Sequence, residues 1–549
     1  MCAKLFTALI IFNFTIFINC ELIEIEDGKL KGTVLKTRKG LDIQSFLGIP
    51  YAEPPEGELR FKPPVPNKKW ERTKDATKFG PVCMQLYEGT EYSMSENCLH
   101  LNVFTKSLNS SDLKPVIVYI HGGAYYAGAA LFNLPDYLLD RDVVFVTLNY
   151  RLGIFGFLAL GNEHAYGNMG LKDQALALNW IQKNIAKFGG DPNQVTITGM
   201  SAGGFSVTAQ MASEMSKGTF HKVIAMSGAI TWQTGLDRDN IELAKQVAQK
   251  LNCSTNMNDL IDCLKTESAK EIAAVSIELL SLTWVKKDSL QMNQISCLRM
   301  EISPKFRIKF LYLIESKILY HLALLSKNES LELLNNKFPE IASRCFFFRG
   351  NGIKTTEEIA NIFKKHYLPF EKIDMRSFNS LAQLCGDGTI GYGVHKFAHY
   401  ISKFTDVYYY KFSYIGRYSN FNYPGNKPYG IHHNDDNQYV VVSNNPPMIK
   451  ESDPENFMVE RMTRIWEQFA KYGDPNNPND EFLADMNWPK HNSDNEYFLD
   501  IGEYFIEKQG LYLERYQVWD NLENSSYSQF TFSSTFSILL LVMLLKISF

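Results

Sequence analysis

The chain has no Cys-x-x-Cys pair and no Cys-x-x-His cluster, so zinc-ligand spacing is missing and no metal site is expected. It has no long basic run, and its net charge is −4, which removes the electrostatic reason to expect a nucleic-acid partner or strong attraction to acidic lipid. Internal repeats and low-complexity linkers are also missing. A length of 549 residues would by itself suggest several domains, but without linkers one large α/β domain is preferred. What is present is a chain 45% hydrophobic and 21% charged, able to bury a large core and suited to a small-molecule partner.

The two ends carry location signals. Residues 1–20, "MCAKLFTALIIFNFTIFINC", place Lys4 before an apolar run from Leu5 to Ile18 and a small residue at Cys20, the layout of a cleaved secretory signal. Residues 523–549 give small residues at Asn524, Ser525 and Ser526, a polar spacer to Thr535 and an apolar tail from Phe536, the order of a GPI-attachment signal. That tail is short for a bilayer span of about 20 residues, and Lys546 interrupts it. A cell-surface anchor, the one route to a membrane, therefore stands beside plain secretion and a degenerate tail.

Secretion gives the cysteines meaning. Cys2 and Cys20 fall in the signal, leaving Cys83, Cys98, Cys253, Cys263, Cys297, Cys345 and Cys385 for a disulfide framework. Cys83 with Cys98, and Cys253 with Cys263, are near enough in sequence to close small loops. Sequons at Asn109, Asn252 and Asn328 fit a glycosylated surface.

Along the chain, strands alternate with helices. "KPVIVYI" (Lys114 to Ile120) and "DVVFVTLNY" (Asp142 to Tyr150) are continuous apolar runs, the pattern of strands buried on both faces of a mostly parallel sheet. "LKDQALALNWIQKNIAKFGG" reads as a helix stopped at Gly189-Gly190, followed by a "DPNQ" turn and the strand "VTIT". That strand runs into Gly-x-Ser-x-Gly at Gly199 to Gly203 and out into a small-residue helix. A lone match of this kind is weak, yet strand-turn-helix is the setting a nucleophile elbow requires, and it nominates Ser201. Upstream, "HGGAYYAG" (His121 to Gly128) follows another buried strand. Its Gly123 and Ala124 amides, with that of Ala202, are the candidate donors to a developing oxyanion. Downstream, "YGIHHNDD" supplies two histidines, in the Ser, acid, His order of an α/β-hydrolase.

With these residues in view, the chain resembles the type-B carboxylesterase and cholinesterase family, and within it an insect-type secreted carboxylesterase. The resemblance runs from Glu21 to Leu522, on "SFLGIPYAEPPEGELRFKPPVP", "SENCLHLNVFT", "GNMGLKDQALALNWIQKNIAKFGGDP" and "GMSAGG". It implies a single α/β-hydrolase domain over 21–522, with a large, mostly parallel central sheet flanked by helices. The family's Gly-x-x-His-x-Asp-Asp/Glu pattern falls on Gly430 to Asp436, making His433 the general base and His432 a neighbour that shapes the loop. It also implies the disulfides Cys83–Cys98 and Cys253–Cys263, the scaffold ion pairs Arg60/Glu96 and Arg151/Asp173, and Ser227 behind the triad or as a packed turn residue. The implied chemistry is ester hydrolysis through an acyl-enzyme, without a cofactor.

The triad acid is where the pattern departs. The family's Glu-Gly-Leu-Tyr aligns without gaps to Lys317, Ile318, Leu319 and Tyr320, so glutamate and glycine are both missing there. Glu315, two residues earlier, serves only if the loop shifts. No glycine occurs from Leu236 to Arg349, although the chain has 35, so this stretch is either truly divergent or locally misread. Substrate class is narrowed by another lack. Cholinesterases hold a cationic head on a tryptophan in the first disulfide loop; between Cys83 and Cys98 stand Tyr87 and Tyr92 but no Trp. Met200 replaces the glutamate those relatives carry before the nucleophile. A neutral, lipophilic ester is therefore expected, with a non-catalytic binding or adhesion protein of the same fold as the alternative. The sequence leaves the oligomeric state open.

Overall fold

The computed structural model describes residues 22–85, 92–109, 111–162, 165–231, 240–285, 309–313, 328–345, 354–419, 430–443 and 447–527. The secretory signal, Tyr87, Cys297, Glu315 and the apolar tail lie outside these residues, as does the side chain of Asn328.

The continuous apolar runs become strands because both of their faces are covered. In Lys114–Ile120, Val116, Val118 and Ile120 enter one buried cluster while Ile117 and Tyr119 enter another, as alternation along a pleated strand demands. Numbered along the chain, the main sheet comprises β1 (Thr33–Lys36), β2 (Asp42–Pro50), β3 (His100–Thr105), β4 (Lys114–Ile120), β5 (Val144–Leu148), β6 (Gly190–Met200), β7 (Lys222–Met226), β8 (Lys309–Leu313), β9 (Val407–Phe412), β10 (Tyr497–Ile501) and β11 (Phe505–Gln509). Their spatial order is β11-β10-β9-β8-β7-β6-β4-β5-β3-β2-β1. Pairing is parallel from β5 through β4, β6, β7, β8 and β9 to β10, and antiparallel at both flanks.

Helices pack on the two faces. On one side lie α1 (Met169–Asn184), through Leu178 and Ile181, and α2 (Ala202–Met211), through Phe205 and Val207. On the other, α3 (Asn456–Tyr472) inserts Met462, Ile465, Trp466 and Phe469. After α1 a short 3₁₀ turn ends at Gly189 with φ 77°, the left-handed stop expected from the sequence. The "DPNQ" residues lie within β6 rather than before it. Gly190 pairs with Lys114 and Val195 with Val116, so the residues between bulge out of the ladder.

Both expected disulfides form, Cys83–Cys98 and Cys253–Cys263. Arg60 grips Glu96 through Nε at 2.7 Å and Nη2 at 2.6 Å, and Arg151 grips Asp173 at 2.8 and 2.7 Å. Each fork leaves neither charge alone in the interior, the condition for burying it. Asn524, Ser525 and Ser526 fall in the last turns of a helix, Leu513–Tyr527. No helix among the described residues is long and apolar enough to cross a membrane.

Candidate active site

Parallel pairing brings the carboxyl ends of successive strands to one edge. There β6 hands over to α2 at Ser201, which adopts φ 59° and ψ −122°, a region a non-glycine residue enters only when its surroundings enforce it. The enforcement is visible. The Ser201 N–H donates to Met226 O at 2.8 Å, and Ser201 O accepts the Phe205 N–H at 2.9 Å. A Cβ on Gly203 would stand 2.0 Å from Ile120 O, and one on Gly199 would stand 2.4 Å from the Gly203 carbonyl carbon. Only glycines let the turn close, which lifts the serine out of the sheet edge.

The loop after β4 faces this serine. A Cβ on Gly122 would lie 3.1 Å from Ser201 Cβ. The loop then turns through Gly123 at φ 108°, Ala124 at 53° and Tyr125 at 63°, and the Tyr126 and Ala127 amides both donate to Gly123 O at 3.0 Å. The amides of Gly123, Ala124 and Ala202 meet no backbone acceptor among the described residues. Amides without a backbone acceptor on two facing segments suit an incoming oxyanion. His121 anchors the loop: its ring stacks on Tyr150 at 4.4 Å, its Nδ1 lies 2.8 Å from Gly122 O, and burial pushes its pKa down to about 4. It is therefore neutral at pH 7.

The histidine loop is pinned to the same edge. Tyr119 of β4 donates to Asn437 Oδ1 at 3.0 Å, and Tyr410 of β9 donates to Asp436 Oδ2 at 3.3 Å. Burial pushes Asp436 up to about 7. Asp435 accepts the His432 N–H at 2.7 Å and the Ser419 hydroxyl at 2.9 Å, so His432 is held as part of the loop frame. His433 is partly buried, its Nδ1 is enclosed, and no acceptor for that nitrogen occurs among the described residues. Burial alone pushes its pKa down to about 4.

Other expected residues have mixed positions. Glu315 lies outside the described residues, although β8 runs to Leu313, beside Met226, on the edge that carries Ser201. Ser227 follows β7 with φ 48°, its Oγ buried and without a hydrogen-bond partner among the described residues. Met200 folds its methyl group to 3.3 Å from where a Gly122 Cβ would stand, beside the nucleophile. Tyr92 sets its ring edge against Phe132 at a 5.5 Å centroid distance.

Sequence reasoning passed over a buried polar chain beneath the site. Tyr125 shares a 2.9 Å hydrogen bond with Ser206, which accepts from Gln174 Nε2 at 3.0 Å; Gln210 Nε2 donates to Gln174 Oε1 at 3.1 Å. Separations of 81 and 32 residues between these partners leave no local pattern to find.

A parallel sheet with helices on both faces, a left-handed serine at a strand-helix turn and a facing amide loop define the α/β-hydrolase class. The chain belongs to the Carboxylesterase family, which it matches over residues 19–519, and is a carboxylic ester hydrolase. It is 34% identical to esterase E4 of Myzus persicae over 517 residues, 86% of this chain and 91% of that protein. Juvenile hormone esterase of Tribolium castaneum is 31% identical, with 82% of this chain and 83% of the relative covered. Among solved structures, juvenile hormone esterase from Manduca sexta with OTFP covalently attached superposes with a TM-score of 0.77 at 26% identity, covering 92% of this chain and 99% of that one.

Proposed function

We propose that Ser201 is the nucleophile, His433 its general base and Glu315 the acid of a serine carboxylesterase acting on neutral, lipophilic esters. The observation that carries this reading is the strained Ser201 backbone set against a loop whose Gly123 and Ala124 amides, with that of Ala202, have no backbone acceptor among the described residues. Strain of this kind costs on the order of 1–3 kcal/mol and persists where the surrounding structure over-determines it.

His433 takes the Ser201 proton as Oγ bonds to the ester carbonyl carbon. The carbonyl π electrons move to oxygen, and the three amides receive the resulting oxyanion. The carbon–oxygen bond to the alcohol then breaks, the imidazolium returning the proton to the leaving alcohol. Water repeats the sequence on the acyl-enzyme. Glu315 is supported by topology: β8 stops two residues before it, at the edge that carries Ser201. The preference for neutral esters is supported by Met200 beside the serine and by the lack of a tryptophan between Cys83 and Cys98.

We also propose that 21–522 forms one catalytic domain, secreted, glycosylated at Asn109, Asn252 and Asn328, and either free or anchored through 523–549. Two disulfides and the exposed positions of Asn109 and Asn252 support it. The mechanism is tested by rapid mixing with a neutral nitrophenyl ester. A burst of nitrophenol equal to the enzyme concentration, lost in Ser201→Ala, is expected. Turnover unchanged in that variant contradicts the reading, and no turnover in the intact protein favours a binding role.

A further inference from the structure

We infer that the Tyr125 hydroxyl is a positioning group for catalysis: its bond to Ser206 ties the loop carrying two oxyanion donors to the helix carrying the third. The inference rests on the proposed roles of Ser201 and the Gly123, Ala124 and Ala202 amides. Those donors come from two pieces of chain. Gly123 and Ala124 lie in the loop after β4, whereas Ala202 opens α2. Stabilising one oxyanion from both requires their relative placement to hold within a few tenths of an ångström, since hydrogen-bond strength falls steeply with misalignment.

Tyr125 is the residue directly after the two loop donors, and Ser206 lies on α2 one helical turn past Ala202. Their hydroxyls meet at 2.9 Å, with Tyr125 only 6% exposed and Ser206 fully buried. The rest of Tyr125 is fixed independently. Its carbonyl accepts the Gly153 N–H at 2.7 Å, and its ring contacts Phe157 at 4.7 Å and Phe205 at 6.0 Å. The ring thus supplies packing, and the hydroxyl alone supplies the polar tie. On the far side Ser206 is backed by Gln174 at 3.0 Å; Gln174 is held by Gln210 at 3.1 Å, and Gln210 also donates to Leu171 O at 2.9 Å. The Ser216 hydroxyl completes the chain on Gln210 Oε1. A fully satisfied polar chain in the interior is stiff, because each member lost leaves a costly orphan. It braces Ser206 against α1, so the loop is referenced to a rigid body rather than to a rotating hydroxyl.

This tie acts on the transition state more than on the substrate. A ground-state ester carbonyl makes weak use of the hole; the tetrahedral oxyanion makes full use of it. Tyr125→Phe keeps the ring and removes only the hydroxyl. We expect kcat to fall about 10-fold while KM stays within about two-fold, because sub-ångström misplacement penalises the reacting geometry. A trifluoromethyl ketone, which adds Ser201 to give a tetrahedral alkoxide, should lose affinity by a similar factor. The melting temperature should fall by no more than about a few degrees, the scale of one buried hydrogen bond in a large domain. Ser206→Ala should reproduce the kcat loss, and the double variant should lose little beyond either single one.

An unchanged kcat and ketone affinity in Tyr125→Phe, with Ser201→Ala inactive, overturns this inference alone. Losses in kcat that simply add in the double variant overturn the coupling it rests on. Turnover persisting in Ser201→Ala removes the nucleophile assignment and this inference together.

Discussion

Met226 and Leu313 are paired across adjoining parallel strands, and each is the last residue of its strand. Met226 also offers its carbonyl to the Ser201 N–H at 2.8 Å. The end of β8 is thereby referenced to the Ser201 turn through one intervening residue.

From this follows the expectation for Glu315. Glu315→Gln should lower kcat by on the order of 10⁴, the cost of losing the acid in a serine triad, while leaving the melting temperature little changed. Glu332→Gln, on the exposed side of the helix Asn328–Asn336, should alter turnover by less than about two-fold. Steady-state kinetics with one neutral ester compares them. A full rate in Glu315→Gln would show that the acid lies elsewhere.

The pH profile reads the same partnership through His433. A base works only unprotonated, so activity is lost as pH falls through its pKa. Burial alone puts that value at about 4. A carboxylate against Nδ1 favours the imidazolium and raises the limb above that value. The acidic limb of kcat/KM in the parent enzyme should therefore shift to lower pH in Glu315→Gln. A limb at the same pH in both would contradict the assignment.

A test of the proposed preference for neutral esters follows from Met200, whose methyl group lies beside Ser201. Met200 brings a thioether, and no Trp stands between Cys83 and Cys98. An uncharged thioester should outcompete the choline thioester of equal acyl chain by about 10-fold or more in kcat/KM, the scale of a desolvated cation–π contact and one charge pair. A preference for the choline ester sinks this reading.

How far the sequence disclosed the site depends on how local each signal is. The strained turn at Ser201 was legible because its motif is encoded within five residues, although Gly203 answers to the Ile120 carbonyl of β4, a contact the motif does not show. The strands β4 and β5 were legible because burial on both faces leaves no polar alternation. His433 rests on a family pattern, since nothing within "IHHNDD" distinguishes two adjacent histidines; Asp435 binds the His432 backbone amide and holds that residue in the loop. The Tyr125–Ser206 tie was invisible, as a hydroxyl contact across 81 residues depends on how α2 packs against the loop. Glu315 lay in a glycine-free stretch whose turn chemistry gives no register, and the sequence reading marked no strand there; Lys309–Leu313 came from the structure alone.

Fluorophosphonate labelling tests the central claim most directly, because only an activated serine reacts quickly with such a probe. One label per chain, mapped to the peptide containing Ser201 and abolished in a folded Ser201→Ala variant, is the predicted result. Labelling of equal rate and extent in that variant would place the reactive serine elsewhere and contradict the account.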